Sequence, residues 1–425
     1  MYRRRFVYSF LAVVFVLFLS TPVFGAGFSL NTGSARGNVL GAGLVASADD
    51  ASAVFFNPAG ITQLKGTQMQ IGLTAITPSY TVETAGGPAG SYGSQTNWFW
   101  PPHAYLTYQI NDKWYAGLGE FSRFGLGTEF QNGWPGRYNS YRAVIQEFEI
   151  NPNVAYKVND KLSLAAGLVG SYFKVTLQRA LPYPPTDIDF KVEGDSWGWG
   201  WDVALQYKPT DWMQFGIVYR SKIEQNVKGN VAVSRTLATT AGLGINVANM
   251  SGSADLTLPD TIFTGLNFNI TKTWSVGGGV YWYGWQYYDK LQLNFGAPFG
   301  APASSTSVSP KNWANVARYL VGTEWKVTPN WDLRLGYAYD TAPEPNNTLD
   351  YILPDNDRHL LSIGVGYHQA AWSVDLGYTY EIMIERSYIG GPPTTPGGIG
   401  APYTYPGRFT SGTAHLIAMT FGYKF

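Results

Sequence analysis

The side chains that most often carry chemistry are sparse in this sequence. Four histidines stand apart, at His103, His359, His368 and His415. None lies three or four residues from another, the spacing that sets two imidazoles on one helix face. None lies two apart, the strand equivalent, so a metal site has no local support. No serine sits two positions from a histidine on one strand face. A hydrolase would therefore have to assemble nucleophile, base and orienting acid from different strands, the one route to an enzyme left open. The chain has no cysteine, which excludes disulfide scaffolds, thiolate metal sites, iron–sulfur clusters and thiol nucleophiles. The expectation is a protein with no catalytic residues, no metal and no cofactor.

Composition says what kind of scaffold remains. Of 425 residues only 14% are charged, and 29 basic side chains balance 29 acidic ones. Neutrality, with no basic block, removes the electrostatic drive for nucleic acid. A soluble chain of this length would ordinarily divide into two or three domains. The mean hydropathy of -0.11 excludes a bundle of membrane helices, which needs repeated apolar stretches of about twenty residues. Yet aromatics reach 16%, with 49 glycines, 29 tyrosines and 15 tryptophans. A glycine- and aromatic-rich chain of low charge and average hydropathy has the composition of a large β-barrel in a membrane.

Three regions follow from the pattern. Arg3, Arg4 and Arg5 precede an apolar run over 6–19, then Pro22, Gly25 and Ala26. This reads as a secretory signal peptide over residues 1–25, because the run is too short to span a bilayer as an anchor. Residues 26–65 do not alternate. Val54, Phe55, Phe56, Ile61 and Leu64 give them an apolar density foreign to a solvated tail. Asn57-Pro58-Ala59 is a good helix start, since asparagine accepts an orphan amide and proline has none to offer. Two or three short helices are expected here, a compact plug for a lumen.

From residue 66 to 425 the sequence alternates with period two. Trp331, Leu333, Leu335, Tyr337 and Tyr339 interleave with Asp332, Arg334, Gly336, Ala338 and Asp340, and similar runs start at Trp372 and Ile417. Aromatic residues close the apolar face at its ends, as where a strand crosses both membrane interfaces. Short turns such as Asn111-Asp112-Lys113 and Asn159-Asp160-Lys161 alternate with long Gly/Pro/Ser-rich stretches such as 85–95, 298–310 and 390–406. About fourteen antiparallel strands are expected, with short turns facing the periplasm and long loops facing outward. A soluble β-sandwich would need neither the aromatic ends nor the short–long rhythm.

Several local runs carry a family resemblance: Ala26-Gly27-Phe28, Ala48-Asp49-Asp50-Ala51, Asn57-Pro58-Ala59, Phe124-Gly125-Leu126-Gly127-Thr128, Trp134-Pro135-Gly136-Arg137-Tyr138, Asn151-Pro152-Asn153, Leu258-Pro259-Asp260, Leu353-Pro354-Asp355-Asn356-Asp357-Arg358 and the terminal Phe425. In this order and spacing the chain resembles the FadL-type outer-membrane transporters of long-chain fatty acids and, in some members, aromatic hydrocarbons. The resemblance implies a fourteen-stranded barrel with an N-terminal hatch and passive uptake of a hydrophobic small molecule. It implies a ligand that leaves through a gap at a kinked third strand. Here that strand is expected over 113–124, with Gly117 and Gly119 as its weak points. It also implies contact with outer-membrane lipid and lipopolysaccharide, and reading of Phe425 by the barrel assembly machinery.

The same resemblance assigns ligand contacts. Phe28 matches a phenylalanine that touches ligand, with packing against the hatch as the plainer role. Arg179 matches by position an arginine near the ligand head group, and Lys290 more loosely a lysine with that role. A carboxylate entering a low-dielectric lumen needs such a cation, though Arg179 could equally bind lipopolysaccharide phosphate at the rim. One departure stands out. The connection after the fifth strand, Leu181-Pro182-Tyr183-Pro184-Pro185-Thr186, is short, whereas the apolar one over 237–250 is retained, which puts an outer capture groove in doubt. A water-filled general porin is the rival reading, and it would need charged rings and no apolar plug.

Overall fold

The computed structural model describes residues 27–30, 32–85, 88–182, 187–233, 249–299, 304–388 and 404–425. The signal-peptide reading and nearly all of the 237–250 connection lie outside them, as do 183–186. Fourteen passes of strand form one antiparallel sheet that closes when Thr67–Thr84 pairs with Gly407–Lys424. Seven of the fourteen are broken into two segments. The third pass, Trp114–Phe121 and Gly125–Glu129, is one of them. The barrel expectation is met in strand number and direction.

The outside is apolar and the inside polar, the reverse of a water-soluble barrel. Along Trp331–Asp340 the exposed set is Trp331, Leu333 and Leu335, and the buried set is Asp332, Arg334 and Asp340. Residues alternate across a strand, so the period-two sequence puts its leucines toward lipid and its charges toward the lumen. At the short-turn end Trp114, Tyr207, Trp274, Trp325, Trp331 and Trp372 stand exposed as an interfacial belt. The short turns are held by their own side chains. Asn111 Oδ1 accepts from the amides of Lys113 and Trp114, both at 2.9 Å, and Asn159 does the same for Lys161 and Leu162.

Three short helices, Ala35–Leu40, Ala42–Ser47 and Ala53–Phe56, and the 3-10 helix Pro58–Gln63 occupy the lumen. They touch the wall on all sides, from the first pass to the fourteenth. Asn57 caps the 3-10 helix by accepting from the amide of Ala59 at 3.1 Å, with Pro58 at its first position. The Asn57 amide also donates to Val45 O at 2.8 Å and to Leu205 O in the wall at 3.1 Å. The helices also reach the wall by backbone. A Cβ at Gly377 would lie 2.7 Å from Ala35 O, and one at Gly322 would lie 2.7 Å from Leu40 O; at Gly216, Gly265 and Gly336 it would collide outright with Val45 O, Ala42 O and Val39 O. Wall glycine here marks close approach of another backbone.

Gly117 and Gly119 belong to the same class. They lie in the regular part of the third pass, paired to both neighbours, and face Val54 of the lumenal helices at under 3 Å from an added Cβ. The strand breaks three residues after Gly119, over Ser122, Arg123 and Phe124. The expected weak points are therefore plug seats, because their lack of a side chain serves packing and not bending.

One charged contact pins the helices to the wall. Arg36 donates from Nε and Nη2 to Glu324 at 2.8 and 3.0 Å, and from Nη1 to Asp49 and Asp50. Glu324 in turn accepts from Arg334, which also reaches Asp375. We expect a side chain at the glycine seats to lift the helices off the wall. Gly265→Val should give a barrel that stays heat-modifiable yet conducts small ions across planar bilayers, approaching a variant lacking residues 26–64. Conductance equal to the parent in both variants would show that this segment does not seal the lumen.

Candidate functional site

A cavity of about 560 Å³ lies above the lumenal helices and passes through the wall. Its lining includes both faces of the fourth pass, Arg142–Lys157: Glu147 from inside, Gln146 and Phe148 from outside. Its inner end reaches Arg318, Arg358 and Leu360, and its outer end Trp98 and Trp100, which are exposed. The passage exists because second and third passes stop pairing at Ala104↔Glu120. Beyond that point Gly125–Glu129 pairs only with the fourth pass, and its free edge is touched at one end by Gln95 N donating to Glu129 O. Volume in this range suits a lipid- or drug-sized guest.

The N-terminal residues fill part of the break from within. Leu30 N donates to Arg123 O at 2.8 Å and Gly125 N to Phe28 O at 2.9 Å, a short antiparallel bridge. This places the Phe28 ring in a box of aromatic rings: Trp285 at 4.5 Å, Trp313 at 5.9 Å, Phe124 at 6.0 Å and Tyr288 at 6.3 Å between centroids. Phe28 is buried, yet it also lines the cavity. The packing role and the ligand-facing role fall on the same ring.

Two guanidinium groups face the inner end. Arg358 is held by three carboxylates, Glu381 at 3.0 Å, Asp340 at 3.2 Å and Asp355 at 3.6 Å, and donates to Gly27 O at 2.8 Å, though its Nε makes no hydrogen bond among the described residues. Arg318 donates from Nη2 to Asp340 at 2.7 Å, but its Nε and Nη1 have no acceptor among the described residues. A buried donor without a partner is costly, and an anionic guest would satisfy it. The structure thus brings together an apolar cavity, a guanidinium with two nitrogens free of hydrogen bonds among the described residues, and a break in the wall.

The residues assigned by resemblance are elsewhere. Arg179 is buried against the Phe190 ring at 5.4 Å and lines a separate cavity of about 40 Å³ with Leu291 and Leu293. Lys290 is exposed, on the strand face opposite Leu291. Neither reaches the Phe28 chamber, because the fifth and ninth passes overshoot it toward the long loops. Sequence reasoning missed Arg318, whose only signal was a charge in the inward phase of Val316–Lys326, and Arg358, noticed only as the end of a motif. The histidines stay apart: His103 lies 2.9 Å from Thr420, and His359 and His415 each meet a tyrosine hydroxyl. Among the described residues no cluster could hold a metal ion. Two further cavities open at the short-turn rim around Arg36, Asp49 and Glu324, and their charged linings do not suit an apolar guest.

Loops close the chamber from the other end. Trp134 stacks on Phe130 at 4.1 Å and meets Tyr351, whose hydroxyl lies 3.0 Å from that of Tyr388. Beneath these rings Lys311 donates to Asp350 at 2.6 Å beside Glu344. Burial disfavours the Lys311 charge, but Asp350 and Glu344 outweigh it and hold the ammonium above its usual range. Burial pushes the Asp355 carboxyl up to about 7, and raises Glu344 well above its usual range.

Residues 16–425 match the family model described as outer membrane protein transport protein (OMPP1/FadL/TodX). The chain is 26% identical to the long-chain fatty acid transport protein of Escherichia coli O6:H1, covering 100% of this chain and 99% of that one. It is 27% identical to the protein of that name from strain K12, over 89% of this chain and 92% of that one. Among solved structures, a Pseudomonas aeruginosa FadL homologue superposes with a TM-score of 0.81 at 22% identity, covering 94% and 99% of the two chains. The Pseudomonas putida toluene transporter TodX gives 0.70 at 16% identity, covering 95% and 100%. At such identities the superpositions show a shared fold.

The raised Asp355 carboxyl makes the loop cap pH-dependent. Its folded pKa lies above the unfolded value, so its stabilisation is full below about pH 4 and is lost as pH rises through about 7. Protease should cut the 341–357 connection more slowly at pH 5.5 than at pH 8, and Asp355→Asn should flatten that difference. Equal cutting rates in the parent at both pH values would remove Asp355 as the cause.

Proposed function

This chain belongs to the OMPP1/FadL/TodX family of outer membrane transport proteins, and from that premise we propose that the compounds it carries are long-chain fatty acids bound head-first at Arg318. It is an outer-membrane barrel for hydrophobic compounds, and its family is one of transporters, not enzymes. The observation that carries the finer reading is the chamber itself, in which apolar rings end at a guanidinium with two donors to spare.

The physics of the task fits that chamber. Polar saccharide in the outer leaflet resists apolar solutes, and aqueous pores exclude them. An apolar path with a weak site lowers the barrier, provided the guest is held loosely enough to leave. The acyl chain lies among Phe28, Phe124 and Leu360, which line the cavity, where each buried methylene contributes about 0.8 kcal/mol. The carboxylate meets Arg318, whose charge survives burial because arginine does not give up its proton in proteins. Release is sideways through the break, since the helices seated on wall glycine leave no straight path down the lumen. The relatives named for long-chain fatty acids support this ligand class. The aromatic box around Phe28 favours a second reading, a flat hydrocarbon such as the guest in the toluene transporter's name.

Two ligands separate these readings. Arg318→Gln should weaken oleate uptake by roughly thirtyfold, the effect of losing a charge-assisted contact of about 2 kcal/mol, while toluene uptake stays near the parent. Asp340 keeps Arg358 as a partner at 3.2 Å, so the barrel should still fold. Arg179→Ala should leave both uptakes unchanged. Unchanged oleate uptake in Arg318→Gln would favour the hydrocarbon reading. A thirtyfold loss in Arg179→Ala instead would return the head group to that residue. Phe28→Ala should weaken both ligands with heat-modifiability intact; unchanged affinity for both would leave that ring purely structural.

A further inference from the structure

The register around the wall opening contains a mismatch. Phe121 pairs with Glu149 and Gly125 with Gln146. Three residues of the third pass, Ser122 to Phe124, thus face two of the fourth, Glu147 and Phe148. This is a β-bulge, and a bulge leaves backbone groups without ladder partners and bends its strand. In a membrane wall such groups cannot turn to water. Two of these amides nevertheless have an acceptor. The amides of Arg123 and Phe124 both donate to Glu147 Oε2, at 2.9 and 3.3 Å. Ser122 Oγ donates to the Glu147 carbonyl at 2.6 Å. The second carboxylate oxygen, Oε1, accepts from Ser171 Oγ of the fifth pass at 3.0 Å, which fixes the side chain. Glu147 is itself buried, and its inner side borders the passage.

We propose that Glu147 is the positioning residue that holds the wall open: its carboxylate replaces the missing ladder across Ser122 to Phe124 and so keeps the third pass bent away from the second. The proposal rests on the reading of this opening as the ligand's way out. Arg123 adds a separate anchor, its guanidinium held by Glu149 at 2.6 Å, so the bend is clamped by side chain on one element and by backbone on the other. What Glu147 supplies is acceptor geometry. A glutamine in its place retains one oxygen for the two amides and presents its NH₂ to the Ser171 hydroxyl, which can accept. A leucine of similar bulk supplies neither.

Glu147→Leu should lower the uptake of oleate and of toluene alike, by about tenfold, the change expected when buried amides lose their acceptor. Oleate affinity of the purified barrel should fall far less than uptake, since Glu147 borders only the passage while Phe28, Arg318 and Leu360 at the inner end are untouched. Glu147→Gln should stay within about twofold of the parent for both ligands. A folded Glu147→Leu barrel with parental uptake would overturn the proposal, and so would a glutamine variant as impaired as leucine. Should the leucine variant fail to fold, hydrogen exchange in the parent decides. The amides of Arg123 and Phe124 should exchange far more slowly than that of exposed Gly133, and equal rates would overturn the role of Glu147. A loss confined to oleate bears on Arg318 and the ligand class, whereas loss of both far beyond any loss of affinity bears on the opening.

Discussion

Every backbone amide and carbonyl in a membrane wall must find its partner inside the protein, and this requirement organises the whole molecule. It forces closure, which the pairing of first and last passes provides over most of their length. It also limits where a wall can open. Among the described residues the ladder between second and third passes is given up above Ala104↔Glu120; beside that break Glu147 takes two amides left by the third pass's mismatch with the fourth, and residues 28–30 bond Arg123 O and Gly125 N. The opening is thus built from hydrogen bonds, not from their absence.

The interior follows from the same demand applied to side chains. Buried charges appear as connected sets: Arg36 with Glu324, Arg334 and Asp375, or Arg358 with Asp340, Glu381 and Asp355. A buried charge is tolerable when paired and bonded on all sides. At the chamber Arg318 has one carboxylate partner where Arg358 has three. The lumenal helices pack some side chains on the barrel, as Phe55 does on Phe121 at 5.0 Å. Their carbonyls rest on glycine, and two contacts of opposite kind, Arg36 with Glu324 and Asn57 with Leu205 O, fix their place.

Much of this was legible in the sequence because its signals were periodic or local. Alternation at Trp331–Asp340 fixed which face met lipid, and asparagine at 111 and 159 marked turns by chemistry internal to three or four residues. Asn57-Pro58 announced its helix start for the same reason. The site was less legible. A bulge is a mismatch between two strands' registers, and neither strand shows it alone; Gly117 and Gly119 looked like the weak point, yet they serve Val54. Positional matching failed for Arg179 and Lys290 because it fixes neither height above the chamber nor the face of the strand. Arg318 carries no motif at all. Its meaning comes from the rings contributed by residues 28, 124, 285 and 313, which only the closed barrel assembles.

An opening that faces lipid changes what drives flux. Under the proposed sideways release, a passage ending among Trp98, Trp100 and Phe148 makes the bilayer itself the receiving phase. Transfer then becomes a partition equilibrium between medium and membrane, with the chamber as a low resistance between them. The sink deepens by about 0.8 kcal/mol for every methylene carried, so longer chains accumulate further without any finer discrimination at the site. Direction is set downstream, by whatever withdraws the solute from the membrane on the inner side, and the barrel needs no energy source of its own.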